Sequence, residues 1–506
     1  MTSHSKRAKA HSTAPLRKAD VRNIFYGLML AMFLSALNQT IVATALPTIG
    51  REFGDFENLS WVIIAYLLSS TVVSPLYGKL SDIHGRRAMM LVAIGLFIAG
   101  SAASAAAPNM ALLIAGRTLQ GIGGGGIVPL VQTTIADMVT PRERGRYQAY
   151  MGTSWIVAGV GGPALGGLIA DHLHWSVIFW LNVPLGLIAA LLTHHSMKLL
   201  PRHDRRHQLD IVGAALMIAA ATLFLIALTS GGTRVPWLSP TILVLVAASL
   251  ALGAALVWWL RQAPEPFLPL NVLKNPVMRM GTAATSCALG AVLGLTVYLP
   301  LYFQVVHKLS AVDAGLALIP IVVMTVPGSM LSGRSMMHLR RYKVSAIAGG
   351  IIAIAAVAAM VRWPAMPLYG VVIAVTLIGF GVGTVYPVAT VSIQNAVPMH
   401  QVGTATGAMN FFRALASTLA VAVMGAILLA GLGATPERGA GVELMLESAG
   451  ALGLDVAWIF RWVFVAADAF LVLALLAIVL MEERPLRGPA AKAPPVSPEA
   501  PPAPAE

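Results

Sequence analysis

The chain carries a succession of apolar runs, each near the roughly 20 residues that cross a bilayer core, with short polar loops between them. Inside lipid a backbone must satisfy its own N–H and C=O groups, so such runs can only be helices or barrel strands, and runs of this length are helices. Fourteen spans are read: Ile24–Leu46, Leu59–Leu80, Ala88–Ala106, Met110–Ile135, Tyr147–Ala170, Val177–Met197, Asp210–Thr229, Thr241–Leu260, Met278–Val305, Ala314–Met336, Val344–Val361, Pro367–Ser392, Val402–Ala430 and Val456–Met481. Composition agrees, with 57% hydrophobic and 11% charged residues, where a soluble domain carries about 25% charged. The fold class is an all-α polytopic membrane protein.

Charge orients the spans. The formal net charge is +13, and a basic chain can mean nucleic acid, but here the basic residues are spread through short loops. That distribution marks topology and excludes a nucleic-acid partner. With both termini inside, 26 of the 34 Lys and Arg fall on the cytoplasmic side. Only Arg51, Arg234, Lys308, Arg362 and Arg438 fall outside, and Arg117, Arg413 and Arg461 lie within spans, away from their inner ends. A missed or invented helix would scramble this alternation. The first span follows a polar segment and is too long for a signal-peptide core of about 7–15 residues, so it stays as a membrane helix. Cys287 is the one cysteine, which excludes an intramolecular disulfide and a cysteine metal cluster. No His, Cys and acidic set recurs at ligand spacing, so no metal and no cofactor is expected.

The organisation reads 6 + 2 + 6. Residues 1–23 form a basic cytoplasmic tail, 24–199 a six-helix bundle, and 200–276 two extra linker helices with their loops. Residues 277–481 form a second six-helix bundle, and 482–506 a Pro/Ala-rich tail expected to be disordered. The seventh and eighth spans hold almost no polar side chains and read as peripheral. Gly78 to Arg87 is echoed by Gly333 to Arg341 at the matching place in the second half, as a duplicated transporter would have it.

Polar residues inside the spans carry the functional reading, because each is costly in hydrocarbon. Arg117 and Gln120 stand on one face of the fourth span with Gly124, and the polar pair is expected to look into a cavity. Gly121 and Gly124 permit close helix approach. A phosphate-cradling loop is excluded for Gly123–Gly126, which lacks both a preceding strand and a following lysine. In the fifth span Ser154, Ala158, Gly162 and Gly166 recur every four residues, a small-residue seam beside Pro163. Tyr386, Thr390 and Gln394 form one stripe and Thr406, Asn410, Arg413 and Ser417 another. They either line a cavity between bundles or bond helix to helix. Asp468 is the carboxylate nearest mid-membrane, seven residues from Arg461 on one face. It is either a functional group or a neutralising partner for Arg461 or Arg413.

These residues resemble the motifs of the major facilitator superfamily, in particular its fourteen-helix drug:proton antiporter branch. Leu37 to Pro47 is similar to that branch's first-helix signature, Gly78 to Arg87 to the superfamily loop motif, and Arg117 to Gly124 to its fourth-helix motif. Gly162, Pro163, Gly166 and Gly167 resemble the antiporter motif of the fifth helix, and Trp175 to Gly186 a stretch typical of the branch, with Ser176 where arginine is usual. The resemblance implies a secondary transporter that exports amphipathic small molecules or drugs by proton antiport and alternating access, and that is not an enzyme. It implies a cytoplasmic gate at Gly78, Asp82, Gly85, Arg86 and Arg87, with Asp82 capping the thirteenth helix near Gln401-Val402-Gly403, where the bland reading is a solvated loop. It also makes the fifth-helix motif a sliding contact between halves.

The chain departs from the branch at Asn38, where aspartate is usual. An amide carries no proton, and coupling needs a group whose protonation changes. Asp468 then becomes the leading proton carrier, with Asp137 second; Arg117, Gln120, Asn38 and Arg413 complete the transport and coupling set, the two arginines able to tune a neighbour. The proton gradient would be the energy source, the bacterial cytoplasmic membrane the location, and the working form a monomer, alone or with envelope partner proteins. An importer or exporter of a physiological metabolite without proton coupling shares the fold. A receptor or channel would need a sensing domain or a polar pore on many helices.

Overall fold

Local chemistry sets where each helix starts. Asn109, Asp210, Ser239, Asn275, Ser310 and Asp455 each accept a backbone N–H from the first turn of the helix that follows, satisfying groups that have no intrahelical partner. Thr140 and Glu143 form a reciprocal capping box, with Pro141 opening the helix behind it. Gly85 turns the chain sharply between two helices at φ 87°, a conformation that a Cβ disfavours.

The computed structural model describes residues 18–199, 210–232, 235–339, 341–432 and 455–486. It contains fourteen helices long and apolar enough to span a membrane. They are α1 (Ala19–Phe53), α2 (Trp61–His84), α3 (Arg86–Ala105), α4 (Met110–Met138), α5 (Pro141–His172), α6 (Val177–Ser196) and α7 (Ile211–Ser230). The second seven are α8 (Pro240–Gln262), α9 (Pro276–Val306), α10 (Ala311–His338), α11 (Lys343–Arg362), α12 (Leu368–Ala396), α13 (Met399–Gly431) and α14 (Val456–Leu480). Each coincides with one expected span, and several continue a turn or more beyond it. No strand occurs among the described residues.

Two halves repeat one packing pattern. In the first, α5 and α6 pack on α1, α2 and α3 on α4, and α3 on α6. In the second, α13 and α14 pack on α9, α10 and α11 on α12, and α11 on α14. Each contact recurs eight helices later. The halves meet chiefly through α2 with α13 and α5 with α10, two contacts that are images of each other under that shift. Leu168, Leu191, Leu250 and Leu476 face outward, half or more exposed, as a lipid-facing wall requires.

The linker helices differ from expectation. α8 is peripheral, but α7 packs against both α2 and α13. Its Ala214, Met217, Ala221 and Leu225 share one buried cluster with Val72 and Ala408. An all-apolar helix can cover a seam as readily as it can face lipid, and here it does both. The C-terminal tail also departs from the disordered reading over 482–486. Tyr342 donates to the Arg484 carbonyl at 3.0 Å, Asn395 to the Pro485 carbonyl at 3.1 Å, and Glu483 accepts the Lys343 N–H at 3.1 Å. Residues 487–506, the segment 1–17 of the basic tail and the loop around His203–His207 lie outside the described residues.

Candidate functional site

Arg117 is almost fully enclosed, with 1% exposure. Its Nε donates to the Val62 carbonyl at 2.9 Å, and one terminal nitrogen donates to Gln120 Oε1 at 2.6 Å and Asn38 Oδ1 at 3.2 Å. The guanidinium carbon lies 4.4 Å from the Tyr66 ring centroid and 5.7 Å from that of Phe179. Gln120 Nε2 donates to Asn38 Oδ1 at 3.0 Å and to the Ser101 hydroxyl. A fixed cation thus meets only oxygens and aromatic faces, a low-cost setting for a charge in lipid. The pair does not look into a cavity between halves, as its one-face spacing suggested. It sits inside the first bundle, among α1, α2, α3, α4 and α6. Glycines allow this. A Cβ on Gly100 would overlap the Gln120 backbone, and Cβ atoms on Gly121 and Gly125 would strike Ser69 and Ser70.

A second polar cluster joins the halves. Asn410 Nδ2 donates to Gln132 Oε1 at 2.7 Å and to the Thr406 carbonyl at 2.8 Å. Gln132 Nε2 reaches the Tyr386 hydroxyl, and Gln394 Nε2 donates to Thr406 Oγ1 at 3.3 Å. The Arg413 guanidinium lies 5.0 Å from the Tyr386 centroid. The two stripes on α12 and α13 therefore converge on α4, and both readings of them hold in part: they bond helix to helix, and they do so across the seam. Thr390 is fully buried, its hydroxyl unpartnered.

Toward the cytoplasm the seam closes on a carboxylate. Asp82 accepts the Gly403 N–H at 3.2 Å, and the Thr404 N–H and hydroxyl at 2.8 Å each. Arg86 pairs with Asp82 at 2.7 Å and with Asp137 at 2.8 Å, so one guanidinium serves two carboxylates. Gly78 faces Gly403 and Gly407 so closely that a Cβ would lie 3.2 Å from the Gly407 Cα. Gly85 contributes the turn. Arg87 does not join this group: it bonds His194 of its own half at 3.1 Å.

Two further expectations need correction. Gly162 and Gly166 of α5 face α1, where Cβ atoms would strike the Thr40 and Thr44 hydroxyls, and Gly167 has no close neighbour. The face that meets the other half is Gly145, Gly152 and Gly159, opposite Gly333, Val326 and Val322 of α10. This seven-residue spacing is a period that the four-residue seam beside Pro163 obscured. Asp468 is brought to none of the clusters. It lies on α14, which packs on α9, α11 and α13, and no ion pair joins it to Arg461 or Arg413 among the described residues. Arg461 stacks instead on Trp458, 4.3 Å from its centroid. Gln132 was missed outright. Its only signal is an amide followed by two threonines near the inner end of an apolar helix.

The sequence model described as Major Facilitator Superfamily matches residues 28–421. An efflux pump of Gibberella fujikuroi, FUS6, is 33% identical over 420 residues, covering 80% of this chain and 74% of that protein. The multidrug transporter protein MdtP of Bacillus subtilis is 31% identical over 412 residues, covering 79% and 74%. Among solved structures, the human organic anion transporter MFSD10 aligns with a TM-score of 0.62 at 17% identity, over 91% of this chain and 99% of that one.

Proposed function

The chain belongs to the major facilitator superfamily, and from that premise we propose that it exports small amphipathic molecules by alternating access, driven by proton antiport. It is a multi-pass membrane protein with a small-molecule substrate, and its work is transport, not bond chemistry. The observation that carries the reading is the seam. Two halves of like packing touch through backbone-close small residues and one breakable carboxylate cap. Glycine against glycine lets surfaces part and rejoin without interlocked side chains, and the relative named as an efflux pump supports export as the direction.

Among the described residues, the hydrogen bonds between the halves involve inner residues: Ser74, Asp82, Gln132, Tyr386, Gly403, Thr404, Gly407 and Asn410. The structure is thus closed to the cytoplasm. For export, this end opens to load substrate and closes to release it outside. Asp82 holds it shut by accepting two orphan N–H groups at the start of α13, a site that favours negative charge. Arg86 couples that cap to Asp137. Protonating either carboxylate would leave the guanidinium to the other and change the strength of the cap, so Asp137 replaces Asp468 as the leading proton carrier. Working as a monomer in the bacterial cytoplasmic membrane suits this scheme, since each chain holds both halves. A metabolite transporter without proton coupling is the second reading, favoured by Asn38, fully buried and bound into the Arg117 network where an aspartate could have titrated.

Efflux of a compound panel from energised cells, with and without collapse of the proton gradient, tests both. Export is expected to vanish on collapse, and Asp137→Asn to blunt its dependence on the gradient where Asp468→Asn does not. Gradient-independent export favours the second reading, and accumulation in place of depletion refutes export.

A further inference from the structure

Arg413 of α13 stands one turn outward from Asn410, whose amide crosses the seam to Gln132. Its guanidinium stacks on Tyr386, the ring whose hydroxyl Gln132 holds from the opposite half. Arg413 therefore lies just outside the last polar contact between the halves, where the export reading requires a space that opens outward. We infer that Arg413 receives the anionic headgroup of the transported molecule, so that the exported class is amphipathic carboxylates and sulfonates and not cationic drugs. This rests on the export reading above.

The charge inventory points one way. Among the described residues Arg413 has no ion pair, and its Nε is buried without an acceptor. The carboxylates on the inner side, Asp82 and Asp137, are already bound to Arg86. Asp468 is on a helix that packs only within its own half. The middle of α1 holds no carboxylate: Asn38 and Gln39 are amides, and Asn38 is bound inside the first bundle. The polar groups on the α12 and α13 stripes inward of Arg413 are neutral: Thr390, Gln394, Thr406 and Asn410. A guanidinium stays protonated at any working pH. Held in a low-dielectric seam, an unpaired cation is costly, and a ring face offsets only part of that cost. A carboxylate or sulfonate offsets far more, because the guanidinium fork bonds two of its oxygens side by side. A cationic ligand entering the same space meets a like charge with no acid to neutralise it.

The test uses full-length protein in inside-out proteoliposomes, with fluorescein as the anion, chloramphenicol as the neutral probe and ethidium as the cation. The parent is expected to transport fluorescein and to leave ethidium behind. Arg413→Gln should lower the ratio of fluorescein to chloramphenicol transport about tenfold, the loss of one well-placed charge contact, while Arg413→Lys keeps most of the ratio. A ratio unchanged in Arg413→Gln, with both rates falling together, makes Arg413 structural and overturns the inference. So does a parent that carries ethidium but not fluorescein, with export itself left standing. A parent that carries none of the three removes the export reading and this inference together.

Discussion

Arg117 is bonded to three oxygens of three different groups, and none is a carboxylate. Its charge is dispersed over Val62, Asn38 and Gln120 and screened by two aromatic faces. Replacing it by lysine keeps the charge but gives up the fork, since an ammonium is a point donor that cannot span the same acceptors. Each buried acceptor left unpaired costs about 1–3 kcal/mol. Arg117→Lys is therefore expected to lower the midpoint of thermal unfolding in detergent and to stop transport, with the protein still in the membrane. Full activity and an unchanged midpoint would mean that the network is dispensable. Arg117 and Gln120 were legible in the sequence because each is costly in lipid and their spacing puts them on one face. Asp82 was legible chiefly because its loop resembles the superfamily loop motif, which a carboxylate able to cap a helix start supports. Gln132 was not, because an isolated amide carries no spacing signal. Asp468 stood out, but helical period identifies a face and not the neighbour that covers it.

α5 shows the same limit at the scale of a helix. It carries small residues on two faces: Ala158, Gly162 and Gly166 against α1, and Gly145, Gly152 and Gly159 against α10. The first contact lies inside a half and is permanent. The second lies between halves and must part in each cycle. Substituting each face should then have different consequences. Gly162→Val drives methyls into Thr40 and the α1 backbone, where overpacking costs about 1–3 kcal/mol, and the unfolding midpoint should fall. Gly145→Val places them against the Gly333 backbone, and the halves can relieve the clash by separating at the inner end. Accessibility of introduced inner-side cysteines should rise in Gly145→Val and stay unchanged in Gly162→Val. The same response in both variants would show that the two faces are not distinct. The spans were readable from their apolar length. The seating of α7 on the seam was not, because an apolar surface does not say whether lipid or protein covers it.

For the whole molecule, alternation of basic and neutral loops was enough to fix fourteen helices, and the echo of Gly78–Arg87 in Gly333–Arg341 was enough to suggest two halves. The echo is incomplete, and the difference is informative. Both glycines meet the opposite half, Gly78 at Gly403 and Gly333 at Gly145, but Met337 stands where the first half has Asp82. Among the described residues, one of the two symmetry-related contacts therefore carries an ion-paired carboxylate and the other shows close glycine packing. Arg146 and Arg334 flank the packing contact and are exposed, which makes them suitable probe sites. The most direct measurement is the distance between spin labels at Arg146→Cys and Arg334→Cys, in a Cys287→Ala background, by pulsed electron paramagnetic resonance. The expected result is a short distance in the resting protein, with a longer population appearing in Asp82→Asn and during substrate-driven turnover. A single unchanged distance in all three states, in protein that transports, would contradict opening of the inner end by separation of the halves.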